Sequence, residues 1–510
     1  MSSHTAPIDE KHADAYPASE VGTLDSLDMS PSEERAIKRK ITIAIIPYCT
    51  LLYLLNFLDR VNIGQARLAG LEKDLHLKGN QYYIALTVFF VSYISFEVPL
   101  ISRFDGSSLI ALMGVVNNFG GLVAARFMLG LAEGFYSLSS IVPEPHTVFL
   151  GGLFPGINFL LTTWYNRNEQ NFVISLLSAA VSLAGAFGGI LAFGIRHMDG
   201  VGGKGGWAWI FILEGLFTFI CAIPAWWLIP DFPEDHRVLK GIDRERWLHR
   251  LAKNQGVTSV PLPFSGRQVR KAFGDWRTYV YALLHIGTAL PLSSLALFMP
   301  TIIKELGYRN AKANLLSVPP YVFGFITTLL VAIASDRLLQ RGIFIIGGML
   351  TGIVGYTILL TNVSNGAKYF ALFLCVGGCS PCVSTAITLM GNNYGPAYTR
   401  AAAMGFFFSV GNCAGLISSN VYPNSTAPRF FRGHGIALAF SFMTIVCVSI
   451  LMASNWRENM RRDRVYGIVA PDGSDADPRK ALTPEQMVNW GLEGLSELEI
   501  IELGDRHPGK

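Results

Sequence analysis

The sequence predicts an all-α membrane protein of twelve spans, arranged as two bundles of six helices. Three observations carry that expectation. Of the 510 residues, 51% are hydrophobic and only 15% are charged, whereas ordinary soluble domains carry about 25% charged residues. Mean hydropathy is +0.36, too apolar for a chain of this length to cover its surface with solvated side chains. Apolar runs of roughly 20 residues, the length that crosses a bilayer as a helix, recur along the chain. A soluble enzyme, a disordered protein and a nucleic-acid binder are excluded by this balance. Runs this long also exclude membrane-barrel strands, which alternate over about ten residues.

Clear spans fall at 41–66, 82–102, 170–195, 207–229, 278–303, 314–334, 343–361, 368–390, 399–421 and 434–454. The stretch 107–163 is apolar but irregular, and two further spans within it complete the twelve. The expected organisation is a disordered N-tail (1–40), an N-terminal bundle (41–229), a polar linker loop (230–277), a C-terminal bundle (278–454) and a C-tail (455–510). The first 34 residues are polar and acidic and contain no signal-peptide core. Within 465–510 one accessory helix is expected, with Thr483 as cap, Pro484 in its first turn and Gln486 completing a capping box.

Basic residues set the expected orientation. With the N-terminus inside, the inner edges and loops hold twenty-three Lys and Arg against eleven outside. Both termini and the 230–277 loop are therefore expected in the cytoplasm, in a multi-pass protein of the plasma membrane. The sequons at Asn362 and Asn424 then fall outside. All seven cysteines lie in apolar runs. Cys375, Cys379 and Cys382 have no His nearby and are expected to be small buried helix residues rather than metal ligands. No metal or cofactor is expected; a proton gradient is the expected driving force.

An ionisable group inside a span costs roughly 2.5–3.5 kcal/mol on insertion scales and is functional by default. The first half holds Asp59 and Arg60 in LLNFLDRVNIG, Glu97 in FEVP, Arg126 and Glu133 in AARFMLGLAEG, and Glu214 in FILEGL. Asp59, Arg60 and Arg126 fall in the outer half of the membrane. Glu133 follows Arg126 by seven residues, two turns on and on nearly the same face. Two acids and two bases are thus expected to face one cavity. A guanidinium there can grip a carboxylate with two hydrogen bonds. A carboxylate there can take up a proton once its basic partner is drawn away, because desolvation disfavours the charged form. Those are the parts of a proton-coupled carrier of organic anions. Glu97 and Glu214 are expected to be structural ion-pair partners. The second half offers His285, whose imidazole can accept a proton near neutral pH, and Asn412.

Small residues carry a second message. Gly185, Gly188, Gly189 and Gly194 lie along one segment, and Gly348/Gly352 and Gly411/Gly415 repeat at four-residue spacing. Such stripes let helices pack closely and slide. The run GVGGKGGW at 200–207 is expected to be an outside turn, since it follows no strand and lacks the Lys-Ser/Thr ending of a phosphate loop.

These segments resemble the major facilitator superfamily, and within it the fungal anion:cation symporter group of allantoate, nicotinate and related permeases. The resemblance spans about 40–460 and rests on LLNFLDRVNIGQARLAGLEKDL, VFFVSYISFEVP, GGLVAARFMLGLAEG, LFPGINFLLTTWY and GWAWIFILEG, then FMPTIIKELGY, LLSVPPYV, SDRLLQRG and SSNVYPNSTAPRF. It implies two six-helix bundles around a central cavity that opens alternately to either side, and proton-coupled uptake of a small organic anion by a chain with no enzymatic activity. Asp59 and Arg60 match the group's first-span pair, and Arg126 and Glu133 its fourth-span pair. Asp336, Arg337, Arg341 and Gly342 match the superfamily's loop signature, which holds the inner gate. A Gly-Pro antiporter motif is missing from the fifth span, which favours symport.

Two departures stand out. LISRFDGSSLIAL leaves the third span short, and seventeen residues at 135–151, including Pro143 and Pro145, interrupt the fourth where the group runs AEG directly into GLFPG. Two readings are open: a retained in-frame intron with a misplaced exon edge, or a genuine sequence with a distorted bundle. The expected roles follow: Arg126 and Arg60, with His285, Tyr321 and Asn412, for substrate; Asp59 and Glu133 for the proton; Asp336, Arg337 and Arg341 for the gate. The expected partners are a small organic anion, protons and the bilayer, with no nucleic acid, in a monomer. A flux-free nutrient sensor and a neutral-solute facilitator are the alternatives.

Overall fold

Every regular element among the described residues is helical, as apolar runs without period-two alternation require. The computed structural model describes residues 29–96, 110, 112–135, 157, 160, 161, 164, 165, 167–228, 238–255, 266–308, 310–338, 340–394, 397–427 and 429–466. The long helices of the first half are α1 (Pro31–Leu68), α2 (Gln81–Phe96), α3 (Phe119–Phe135), α4 (Arg167–Ile195) and α5 (Gly206–Ala222). Two polar helices follow, α6 (Ile242–Gln255) and α7 (Gly266–Gly274). The second half comprises α8 (Trp276–Glu305), α9 (Val318–Leu338), α10 (Arg341–Leu360), α11 (Asn365–Asn392), α12 (Ala397–Ser418) and α13 (Phe431–Tyr466). A helix coincides with each of the ten clear spans. Seven of the helices are long and apolar enough to cross a membrane, and three apolar ones are shorter. Glu97, residues 136–151 of the 135–151 insertion with its two prolines, and the accessory helix around Thr483 lie outside the described residues.

The start of α1 corrects the expected N-tail. Residues 31–40 are helical, not disordered, because Ser30 and Glu33 form a reciprocal cap. The Ser30 hydroxyl accepts from the Glu33 amide at 3.3 Å, and Glu33 Oε2 accepts from the Ser30 amide at 2.9 Å. Pro31 suits the first turn, where its missing donor costs nothing. Lys38 then pairs with Glu169 at 2.7 Å and Lys40 with Asp243 at 3.6 Å. At its other end α1 is followed by Gly70 at φ +107°, a left-handed turn that glycine adopts without strain.

Within the first half α1 packs on α4 and α5, and α2 packs on α3. Within the second, α8 packs on α11, α12 and α13, while α10 packs on α11 and α13. The α10–α11 seam explains the three cysteines. A Cβ on Gly348, Gly352 or Gly355 would stand 2.5, 2.9 or 2.6 Å from the sulfur of Cys382, Cys379 or Cys375. The glycine stripe and the thiols thus occupy one another's space, and all three thiols are buried.

The two halves meet through α4 with α9 and α11, α1 with α8, and α2 with α12. The helix ends near residues 31, 167, 276, 341, 397 and 457 form one basic end of the bundle; the opposite end is here termed the far end. The described contacts between halves concentrate toward the far end. Gly64 abuts the Leu297 carbonyl, Gly185 the Tyr321 ring and Gly189 the Asn314 carbonyl. The Tyr83 hydroxyl donates to the Tyr422 carbonyl at 3.1 Å, and Asn420 Nδ2 to Thr87 Oγ1 at 2.9 Å. The expected close-approach glycines therefore divide: Gly185 and Gly189 seal the halves together, Gly188 faces Leu58 and Asn62 of its own half, and Gly194 meets nothing.

At the basic end, α6 belongs to the first half. Trp247 Nε1 donates to the Trp164 carbonyl at 3.3 Å, and Arg250 bridges Glu34 and Glu169, the latter at 2.9 Å. Burial pushes the Glu169 carboxyl up, but hydrogen bonds from Arg250 and Lys38 outweigh it and hold the group below its ordinary 4.5. By contrast α7 packs on α12, where Thr399 Oγ1 donates to the Gln268 carbonyl at 3.2 Å. The expected polar loop thus contains two helices, one docked on each half.

Candidate functional site

A cavity of about 130 Å³ lies between the halves on the basic side of that seal, lined by α1, α2, α4, α8, α11 and α12. Rings of Tyr53, Phe57, Phe90, Tyr93, His285 and Phe408 supply much of its wall, with the hydroxyls of Ser178, Ser293 and Ser380 and the amide of Asn412. One ionised side chain reaches it among the described lining residues, Arg60.

The register of α1 decides this. Successive helical residues project about 100° apart, so the neighbours Asp59 and Arg60 cannot face the same way. Arg60 points into the cavity wall, while Asp59 is 4% exposed and turned into the first bundle. The Arg60 guanidinium reaches back across the wall to α3. Its Nε and one terminal nitrogen both contact Glu133 Oε2, at 3.0 and 2.9 Å. Asn56, one turn earlier, accepts from the same group at 3.4 Å, and Tyr93 lies 4.4 Å below it, ring face to cation. Glu133 is buried, and its Oε1 has no hydrogen-bond partner.

Arg126 sits deeper, 1% exposed. Its guanidinium lies 5.8 Å from the Phe89 ring and 5.9 Å from the Phe211 ring, and its Nε and one terminal nitrogen have no hydrogen-bond partner. Asp59, Glu133 and Glu214 are its electrostatic neighbours. The expectation that Asp59, Arg60, Arg126 and Glu133 share one cluster is met in space, but not that all four face a cavity. Arg60 alone lines it. Arg126 is held behind the wall because the bulky Phe89 and Phe211 rings enclose it. Glu214, expected to be an interlocked ion-pair partner, makes no hydrogen bond through either oxygen and belongs to the same buried group. The signal for it was its position on α5, whose opposite side exposes Leu213, Leu216, Phe217 and Ile220.

The second half contributes less charge. His285 lines the cavity and stacks on Phe407 at 4.1 Å between centroids, nearly parallel, with its Nδ1 unpartnered. Gly411 packs so closely against this ring that no Cβ fits there. Asn412 lines the cavity as well. Tyr321 is buried against Gly185 in the far-end seal and is not among the described lining residues, which corrects its expected place. Glycine accepts the broad Tyr321 ring there, so the ring fills the seam rather than the cavity. Of the expected gate residues, Asp336 and Arg341 pair at 3.7 Å at the basic end, whereas Arg337 is exposed. Sequence reasoning missed Arg67, which is buried at the far end, bonds Glu72 at 2.9 Å and lies 4.3 Å from the Tyr82 ring.

Comparison with known proteins bears on this arrangement. The profile of the Major Facilitator Superfamily matches residues 145–419. An uncharacterised transporter of Schizosaccharomyces pombe is 33% identical over 446 residues, covering 83% of this chain and 84% of its own. The high-affinity nicotinic acid transporter of Saccharomyces cerevisiae is 29% identical over 470 residues, covering 87% of this chain and 83% of its own. Among solved structures, the proton:xylose symporter XylE superposes with a TM-score of 0.56 at 13% identity, covering 81% of this chain and 96% of that one. Two helical halves closed over a central cavity, with a profile and relatives of this kind, place the chain in a class of membrane transporters rather than enzymes: it belongs to the Major Facilitator Superfamily, among its fungal permeases.

Proposed function

We propose that this transporter is a symporter that carries a small organic anion, such as a carboxylate vitamin or nitrogen source, together with protons into the cell. The observation that carries the reading is the Arg60–Glu133 pair. A guanidinium at the cavity wall is held by a carboxylate buried behind it. A substrate carboxylate entering the cavity competes for the same guanidinium fork. Once Arg60 turns to the substrate, Glu133 is left as an uncompensated buried anion, a state that costs several kcal/mol unless it takes a proton. Substrate and proton are therefore bound together or not at all.

The wall suits such a ligand. One cation, aromatic faces and a few hydroxyls favour a small planar anion. The volume approaches the ~150 Å³ of an engineered cavity that holds benzene. A nicotinic acid transporter among the relatives supports a carboxylate of that size. The excess of Lys and Arg at the basic end supports placing that end, with both termini, in the cytoplasm, so that the far-end seal faces outside. Asp336 and Arg341 would then belong to the cytoplasmic gate.

The test is uptake of a panel of labelled carboxylates, nicotinate first, into proteoliposomes with an imposed pH gradient. Wild type is expected to accumulate a carboxylate with the gradient. Glu133→Gln is expected to exchange substrate across the membrane and to accumulate it less than wild type does. Undiminished accumulation by that variant removes Glu133 from coupling, and uptake indifferent to both pH and substrate charge establishes a neutral-solute facilitator instead.

A further inference from the structure

Among the described residues, the buried cluster contains three carboxyls, Asp59, Glu133 and Glu214, and two guanidiniums, Arg60 and Arg126. Glu133 is bonded to Arg60. That leaves Arg126 as the one cation between two further acids. Glu214 is 5% exposed, and both of its oxygens are sealed from solvent without a hydrogen-bond partner. Asp59 Oδ1 is equally unpartnered. Phe211, whose ring lies 5.9 Å from the Arg126 guanidinium, sits one turn before Glu214 on α5 and brings the acid to that cation. Among the described residues, Glu214 faces Asp59 on α1 and Arg126 on α3; Arg60 and Glu133 stand beyond Asp59, and Tyr82 on α2 stands beside Arg126. Between Phe172 and Ile195, α4 contributes no ionisable side chain.

Charge neutrality sets the proton count. Ionising both Asp59 and Glu214 against one guanidinium leaves a net negative charge buried within a span, which is strongly disfavoured. One proton shared by the pair across Arg126 makes the cluster neutral. This proton is distinct from the one that Glu133 takes up when substrate draws Arg60 away.

We infer that Glu214 is a second proton-coupling residue, sharing with Asp59 a proton that is exchanged in each cycle, so that a monovalent anion is carried with two protons and one net positive charge. The inference rests on the proposed symport and goes beyond it in stoichiometry. Glutamine at 214 imitates the permanently protonated acid, so one proton is withdrawn from the cycle while binding survives.

The experiment measures substrate-induced current and accumulation in proteoliposomes of the full chain, using whichever carboxylate wild type accumulates. At zero membrane potential a tenfold proton gradient is expected to sustain about hundredfold accumulation in wild type and about tenfold in Glu214→Gln, each tenfold step being the free energy of one proton. Wild type is expected to carry current and Glu214→Gln to be electroneutral, with counterflow retained. Glu214→Asp keeps the carboxyl and is expected to keep the current with a displaced pH profile. An electroneutral wild type, or a Glu214→Gln protein as electrogenic as wild type, overturns this inference and leaves the symport reading standing. Failure of wild type to respond to a pH gradient at all sinks the symport reading itself. Should Glu214→Gln not reach the membrane, Glu214→Asp decides: an undisplaced pH profile overturns the assignment, and a displaced one supports it.

Discussion

Gly64→Ala is expected to open the far-end seal. Gly64 lies on α1 where that helix crosses α8 of the other half. A Cβ there would stand 2.5 Å from the Leu297 carbonyl oxygen and 3.4 Å from its carbon. Both opposing atoms are backbone, so no rotamer change relieves the clash. Real Cβ contacts do not fall below 3.0 Å, so α1 and α8 must part by about half an ångström or the seal must open. Overpacking of this kind costs roughly 1–3 kcal/mol. Because the two helices belong to different halves, the cost falls on the sealed state and not on one in which the far end is open. The ratio of sealed to open molecules is therefore expected to drop by roughly 5–150-fold. Electron–electron distance measurements between spin labels at Lys78 and Thr361, both exposed at the far end, read this directly. The long-distance population is expected to grow relative to the sealed one by that factor. Gly194→Ala is the control, since a Cβ there meets nothing within 4 Å. The apparent affinity for substrate offered at the far end is expected to rise with the open fraction, and turnover to fall. A Gly64→Ala distance distribution that overlays wild type refutes the assignment of this contact to the seal.

Tyr83→Phe is expected to move the same spin-label distribution in the same direction but less, roughly 2–10-fold, because it deletes one hydrogen bond across the halves, to the Tyr422 carbonyl, along with a longer one accepted from Arg67 within the first half. The docking of α6 is expected to depend on pH. Glu169 is held below its ordinary 4.5 by Arg250 and Lys38, so its contribution is complete above the unfolded value and is lost as pH falls through the lowered one. Hydrogen exchange should show α6 amides losing protection in acid; Glu169→Gln should show roughly tenfold less protection at pH 7 and no difference from wild type once the acid is protonated.

The spans were legible because lipid demands long apolar runs, and each clear run became a helix. The ends were less so: Ser30 and Glu33 spell a capping box, but its extension of α1 into the basic residues 35–40 depends on Glu169, Asp243 and α6, which lie far away in sequence. The seven-residue spacing of Arg126 and Glu133 correctly put them on one side of α3. What the spacing left open was which neighbour of the Asp59–Arg60 pair meets the cavity, since helical periodicity separates the two without saying which points inward. Tyr321 was chosen as a polar ring in a span, and only its partner Gly185 shows that it belongs to the seal. Glu214 was legible as a charge in a span, but α5 is apolar on every side, so its inward turn is visible only from what the opposite face exposes. Gly64 carried no signal at all, because its reason is a carbonyl more than two hundred residues away.

The seal and the coupling pair occupy one helix. Gly64 is four residues beyond Arg60, about one turn and 6 Å along α1, so a close backbone contact between the halves lies one turn from the residue whose guanidinium Glu133 holds. On the proposed mechanism this placement makes the two events dependent. While the Gly64–Leu297 contact is made, an anion on the far side cannot reach Arg60, and the Arg60–Glu133 bond keeps the first half neutral in the dry interior. When the contact opens, α1 withdraws from α8 and uncovers Arg60, and an entering carboxylate can then take the guanidinium only if Glu133 receives a proton through the same opening. Substrate without proton would leave a bare carboxylate under the seal. Proton without substrate would leave Arg60 without an anion. Both states oppose reclosure by the cost of a buried unpaired charge, several kcal/mol. Tight coupling in this reading needs no long relay between distant sites: it follows from putting a carbonyl-tight glycine one helical turn above a cation that two anions compete to hold.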